Sequence, residues 1–219
     1  MSGAPSDDGT LCAEGGLETH AEPVRAGREV INGSVDGFHR PKAVRYQRGR
    51  FSAAGYYHDA RDLDAVRRLL LNPLGPGGDR VYRLASFDLD LDIPIDAPSA
   101  RASTDAILLL DGSFLQRPAL RPALDLVIFL YAELKEANAR GIERDKLRYG
   151  PGTDVEMLYE LRYNPAFEMY RAECRPDENA DIVIDNSNPT APVLLRYRVG
   201  KTRPRSTANR NNTMKDKIG

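Results

Sequence analysis

Two short runs constrain this chain more than anything else in it. Ala106-Ile107-Leu108-Leu109-Leu110 lies between Asp105 and Asp111, and Leu126-Val127-Ile128-Phe129-Leu130 lies between Asp125 and Glu133. A strand with one wet face alternates apolar and polar residues. A run that is apolar at every position predicts a strand covered on both faces, as inside a parallel sheet. Ile182-Val183-Ile184 is a third such segment, and Val30-Ile31-Asn32-Gly33-Ser34-Val35 predicts an earlier short strand ending at Asp36. Helical patterns lie between these strands. Asp62 can cap a helix in which Leu63, Val66, Leu69 and Leu70 share one face, and Asn72-Pro73-Leu74-Gly75-Pro76-Gly77-Gly78 breaks it. A second helix is expected from Glu133 to near Lys146. A third runs from Asp154 to near Arg162, and Thr153-Asp154-Val155-Glu156 reads as its capping box. Strands alternating with helices predict a doubly wound α/β domain with a parallel sheet flanked by helices. No internal repeat interrupts the pattern.

The 219 residues suffice for one hydrophobic core. Residues 1–24 are rich in Gly, Ser, Asp and Glu and are expected to be irregular; 25–195 form the α/β domain; 196–219 form a basic tail expected to be disordered. That tail holds eight Lys/Arg against Asp216, a charge of +7, so residues 1–195 carry −8 of the overall −1. Tail charge alone is the only argument for nucleic acid, which is therefore not the expected partner. No apolar run is long enough for a membrane span, and no secretory leader is expected. Cys12 and Cys174 form no ligand-spaced cluster, which fits a reduced, cytoplasmic setting.

Ligands of open parallel sheets bind beyond the carboxyl ends of the strands. Asp36 and Asp111 fall there, each followed by a glycine, Gly37 or Gly112, that leaves room for a ligand near the backbone. Each acid can accept a proton from a hydroxyl or hold Mg²⁺ through water, and each can equally be a turn residue. Arg140, Arg144 and Arg148 recur at four-residue spacing, which stacks them on one helix face. That stripe reads either as a solvated charged face or as a phosphate clamp.

An ordered set of segments turns these positions into a resemblance. Ser34-Val35-Asp36-Gly37-Phe38-His39-Arg40-Pro41, then Gly55-Tyr56-Tyr57-His58-Asp59, then Tyr82-Arg83 and Phe87-Asp88 resemble the substrate segments of the uridine kinase and phosphoribulokinase-like family of P-loop kinases. Leu110-Asp111-Gly112-Ser113-Phe114-Leu115 is similar to its Walker-B-like strand end, and Arg144-Asp145 to its lid. Arg162-Tyr163-Asn164-Pro165-Ala166, Tyr170 and Ala180-Asp181-Ile182-Val183-Ile184-Asp185-Asn186 resemble its closing portion in bacterial members.

The resemblance implies transfer of the ATP γ-phosphate to the 5′-hydroxyl of uridine or cytidine, a pyrimidine-salvage activity, with Mg²⁺ and a small-molecule nucleoside as partners. It makes Asp36 the base, has Asp59 hold the ribose hydroxyls, and has His39 and Tyr82 line the nucleoside site. Asp111 would organise Mg²⁺ through water, and Arg140 and Arg144 would close over the phosphates. The family often has a His where this chain has Phe87 or Asp88, and an aromatic where it has His39. Related scaffolds phosphorylate pantothenate, ribulose phosphate and other hydroxyl compounds, and a nucleoside-binding protein without catalysis is the alternative.

The family's G-x-x-x-x-G-K-[ST] loop, which cradles the triphosphate, is expected upstream of Asp36 and is not there. Gly3-Ala4-Pro5-Ser6-Asp7-Asp8-Gly9-Thr10 has no lysine, one residue too many between its glycines, and two acids that repel phosphate. Gly200-Lys201-Thr202 has Leu195 at the place of the first glycine and Pro204 where a helix should open. The chain is thus expected to lack the first strand, the P-loop and most of the first helix of the kinase fold. It is read as truncated, and as weakly active or inactive in this form.

Overall fold

A computed structural model describes residues 27–198. The expectations for an irregular start and a basic tail fall largely outside this range. The elements follow the predicted α/β alternation. Strand β1 (Val30–Ser34) leads through a tight turn at Val35–Phe38 to helix α1 (Lys42–Arg45). Helix α2 (Leu63–Val66), a wide π turn at Arg67–Leu71 and α3 (Asn72–Leu74) form one continuous helical segment. Short antiparallel ladders pair β2 (Val81–Tyr82) with β5 (Ala100–Arg101), and β3 (Phe87–Asp88) with β4 (Ile93–Pro94). Then come β6 (Ile107–Asp111), β7 (Ile128–Tyr131), the long helix α4 (Leu134–Tyr149), α5 (Val155–Leu158), α6 (Asn164–Cys174), α7 (Pro176–Asn179), β8 (Ile182–Asp185) and β9 (Val193–Tyr197).

The expected parallel strands are present, paired β1 with β6, in the register Val30↔Ile107 to Ser34↔Asp111, and β7 with β8. Among the described residues these are two separate ladders, β1-β6 and β7-β8-β9, with β9 antiparallel on β8.

Burial on both faces of the apolar runs is overturned. Ile107 is 39% exposed, Leu109 44% and Ile128 52%. Leu108 and Leu110, on the other face of β6, pack against the core with Ile31, Val66 and Leu70. Each run is a strand with one covered face. Among the described residues, no layer covers the other face.

Asp62 caps α2 as predicted, its Oδ1 accepting from the Ala65 amide at 3.0 Å. The expected capping box is displaced by one residue: Asp154, not Thr153, accepts from the Met157 amide at 2.9 Å. The helix beyond it does not stop near Arg162. A π turn at Tyr159–Tyr163 carries it into α6, with Pro165 directly after that turn, where the widened turn accommodates its ring and missing N–H. A second core gathers six of the chain's ten tyrosines around Phe114, Val155 and Leu158. Buried phenols need partners; Tyr159 donates to Asp145 at 3.0 Å, and Tyr170 accepts from the Gln116 amide at 3.1 Å.

Candidate functional site

The parallel register sets Ser34 beside Asp111 at the carboxyl ends of β1 and β6. The Ser34 hydroxyl donates to Asp111 Oδ2 at 3.2 Å and accepts from the Asp36 amide at 3.3 Å, so it caps the turn that presents Asp36. Burial pushes the Asp111 carboxyl above its ordinary value, more than the Ser34 hydrogen bond draws it down, and the charge of Asp36 adds to the rise. Two carboxylates therefore share one strand-end region.

Backbone bonds sew this turn to the segment before α2. The Arg40 amide donates to the Ala60 carbonyl at 3.0 Å, and the Asp62 amide to the Phe38 carbonyl at 2.7 Å. The pairing delivers Arg61 to Asp36: Nη2 lies 2.9 Å and Nε 3.2 Å from Oδ1. His39, 2% exposed, sets Nδ1 2.7 Å from the Asp36 carbonyl. Burial first, then the Arg61 charge, lowers its pKa to about 4. At neutral pH the ring is uncharged, and Nδ1 carries the proton that the carbonyl accepts.

The other predicted site residues occupy distinct positions. Asp59 ends a wide turn at Gly55–Asp59 and accepts from Arg48 Nε at 2.7 Å. Tyr82 is buried in the core beneath β1. On α4, Arg140 donates to the carbonyls of Asn186 at 3.1 Å and Glu136 at 3.2 Å. Arg144 donates to Asp145 Oδ1 at 2.9 Å, and Asp145 is fully buried beneath it. Asp36, His39 and Asp111 are thus gathered at the ends of β1 and β6, and Asp59 stands two residues from Arg61. Arg140 and Arg144 are held through α4 and the loop after β8.

The room expected beside the two glycines is taken by protein. A Cβ on Gly37 would lie 2.5 Å from the Leu84 carbonyl oxygen, and one on Gly112 would lie 2.1 Å from Val35 Cγ2. Gly112 also has φ of +140°, a conformation that side chains rarely adopt. Both glycines serve the packing of the strand ends.

Ser34 and Arg61 were not singled out by sequence reasoning. Ser34 carries a signal, being a cap residue directly ahead of a turn. Arg61, one arginine among acids in Asp59-Ala60-Arg61-Asp62, carries none.

Two concavities lie apart from these residues. One of 380 Å³ is lined by Tyr131, Asp177, Val183, Leu195 and Arg196, and one of 270 Å³ by Arg67, Asn72 and the Pro118–Ala123 stretch. The strand-end acids carry the chemistry better, because they join titratable groups to a defined topological position. No group of His, Cys, Asp and Glu among the described residues forms a ready metal cage. Asp111 with Asp36 nearby suits a water-mediated Mg²⁺, since a cation relieves the crowding of like charges. Gly150-Pro151-Gly152-Thr153 does open the α5–α6 helix, but it carries no lysine and runs into Asp154, whose carboxylate caps that helix and would repel a triphosphate. No helix among them is long and apolar enough to cross a membrane.

No family model matches the sequence, and no curated protein matches it. Solved structures do. One described as a possible uridine kinase from Bacillus stearothermophilus aligns with a TM-score of 0.54 at 23% identity, covering 72% of this chain and 72% of that one. Phosphoribulokinase from Rhodobacter spheroides aligns with a TM-score of 0.52 at 16% identity, covering 78% of this chain and 66% of that one. With parallel strands β1 and β6 ending at Ser34 and Asp111, the chain has the α/β fold of these two solved structures.

Proposed function

We propose that this chain carries the acceptor half of a small-molecule kinase site, built for the 5′-hydroxyl of uridine or cytidine, in a reduced, cytoplasmic setting. The observation that carries the reading is the convergence of Asp36 and Asp111 at the ends of parallel strands β1 and β6. In this role Asp36 takes the hydroxyl proton as the acceptor oxygen bonds to the γ-phosphorus of ATP. The bond from that phosphorus to the β,γ-bridging oxygen breaks, and its electron pair leaves with ADP. Asp111 would hold Mg²⁺ through water, which supplies charge neutralisation for the phosphates. Asp59 would exchange Arg48 for the ribose hydroxyls, an inexpensive exchange because Arg48 is 57% exposed and such pairs are worth about 0–1 kcal/mol. His39 and Tyr82 would shape the nucleoside end, with Arg140 and Arg144 as phosphate ligands.

Phosphoryl transfer depends almost wholly on positioning and charge stabilisation. With no G-x-x-x-x-G-K-[ST] in its 219 residues, the chain should phosphorylate uridine only in trace amounts. Turnover of about 1 s⁻¹ or more, the ordinary kinase range, would contradict this. The missing motif favours a second reading, a nucleoside-binding protein without catalysis. Calorimetry with uridine and with Mg-ATP separates the two. Uridine binding without measurable Mg-ATP binding supports the second, and measurable ATP affinity ends it. Absence of uridine binding removes the nucleoside assignment from both and leaves another hydroxyl compound as acceptor.

A further inference from the structure

Asp36 and Asp59 each meet an arginine, but the two arginines differ in kind. Arg48, over Asp59, is largely in water. Arg61, over Asp36, has a side chain only 4% exposed. Its guanidinium carbon lies 5.3 Å from the Tyr56 ring centre and 5.9 Å from that of Phe114. Its Nη2 also reaches the Tyr56 hydroxyl, at 3.5 Å. Both rings belong to the tyrosine-rich core and contact each other edge to face, with centroids 5.6 Å apart. A planar cation held against two rings keeps few rotamers, and both hydrogen bonds it sends to Asp36 land on Oδ1. Asp36 is also reached through its main chain, by the Ser34 hydroxyl at its amide and the His39 ring at its carbonyl. The second carboxylate, Asp111, faces it across the strand ends and repels it.

We propose that Arg61 is a positioning residue of the acceptor site, carrying the rigidity of the aromatic core to the Asp36 carboxylate and holding it at one angle for the acceptor hydroxyl. This inference rests on the reading of Asp36 as the group that meets that hydroxyl. Arg61 itself stays off the acceptor: with so little exposure it acts through Asp36. A lysine at the same place restores charge but not the planar fork, so it should restore little of the angle.

The test uses the full chain and two probes, uridine and 5′-deoxyuridine, which lacks the hydroxyl in question. Calorimetry on the native protein should favour uridine by about tenfold to a hundredfold, the weight of one charge-assisted hydrogen bond. Asp36→Asn should shrink that preference. Arg61→Met should do the same while weakening 5′-deoxyuridine binding little, and it should have no further effect on the preference in the Asp36→Asn background. Loss of both probes in equal proportion from Arg61→Met would mean a general structural role and overturn the proposal. If the native protein shows no preference, or Asp36→Asn keeps it, the acceptor reading itself fails. If Asp36→Asn abolishes the preference and Arg61→Met keeps it, only the Arg61 inference fails. A measurement without ligand stands beside these. Three-bond couplings to the Asp36 carboxyl carbon should report one χ1 rotamer in the native protein and averaging in Arg61→Met. An unchanged rotamer overturns the proposal whatever uridine does.

Discussion

The Ser34 hydroxyl and Asp111 Oδ2 lie 3.2 Å apart and are register partners at the last step of the β1-β6 ladder. The hydrogen bond closes the ladder where the two acids meet, and it only partly offsets the burial of Asp111.

Asp111 should therefore cost stability when ionised. Its folded carboxyl titrates above the ordinary 3.8, so above that value the folded state holds more protons than the unfolded one, and stability falls as pH rises through the window. Asp111→Asn, which keeps an oxygen for Ser34, should raise the urea midpoint at pH 7 in metal-free buffer and flatten that part of the pH profile. A lower midpoint would show that the charge is compensated.

His39 works in the opposite sense. Its folded pKa near 4 lies below the ordinary 6.5, so the unfolded chain takes up the proton first as pH drops. The stability it contributes is present above about pH 6.5 and is lost as pH falls toward 4, by up to roughly 3 kcal/mol. Chemical denaturation from pH 7 to pH 4 should show the loss, and His39→Gln should reduce its slope. Arg61, Asp36 and Arg148 face the ring and modulate the window.

Gly112→Ala places a Cβ against Val35 Cγ2 at a φ of +140°. The backbone strain alone is about 1–3 kcal/mol, and the clash adds to it. Thermal unfolding should register a clear drop. Gly150→Ala, also at positive φ but with open space around its Cβ, should lose less.

The two faces of the core strands should respond differently to substitution. Leu109→Ser on the exposed face of β6 should change stability by no more than about 0.5 kcal/mol. Leu70→Ala, at a fully buried position under the β1-β6 ladder, should lose roughly 2–5 kcal/mol. Equal losses in urea titrations would mean that the outer face of β6 is covered in solution.

Much of the site was legible because it depends on chain order and local pattern. Asp36 and Asp111 stand directly after or at the end of apolar runs, so strand ends and topology place them without knowledge of packing. The Asp62 cap is also a local event. The continuation of α5 into α6 was not legible, because a π turn at Tyr159–Tyr163 takes the helix past the end of its pattern near Arg162 and through Pro165.

Continuous apolar composition identified Leu108-Leu109-Leu110 as strand, through the backbone preference of such runs and the acids that bound them. Whether Leu109 meets protein or water was not written in that run. It depended on which layers stand against the sheet, and only Leu108 and Leu110 found one. Arg61 is the same case at the site. Its one-letter surroundings distinguish it from no other arginine, and its role arises because long-range backbone pairing brings it between two aromatic rings and one carboxylate. Sequence by itself determined the α/β class, the strand-end acids and the order of the segments, all set by local pattern. Tertiary structure decided which face is covered and which charge is held, because burial and ion pairing depend on residues far apart in the chain.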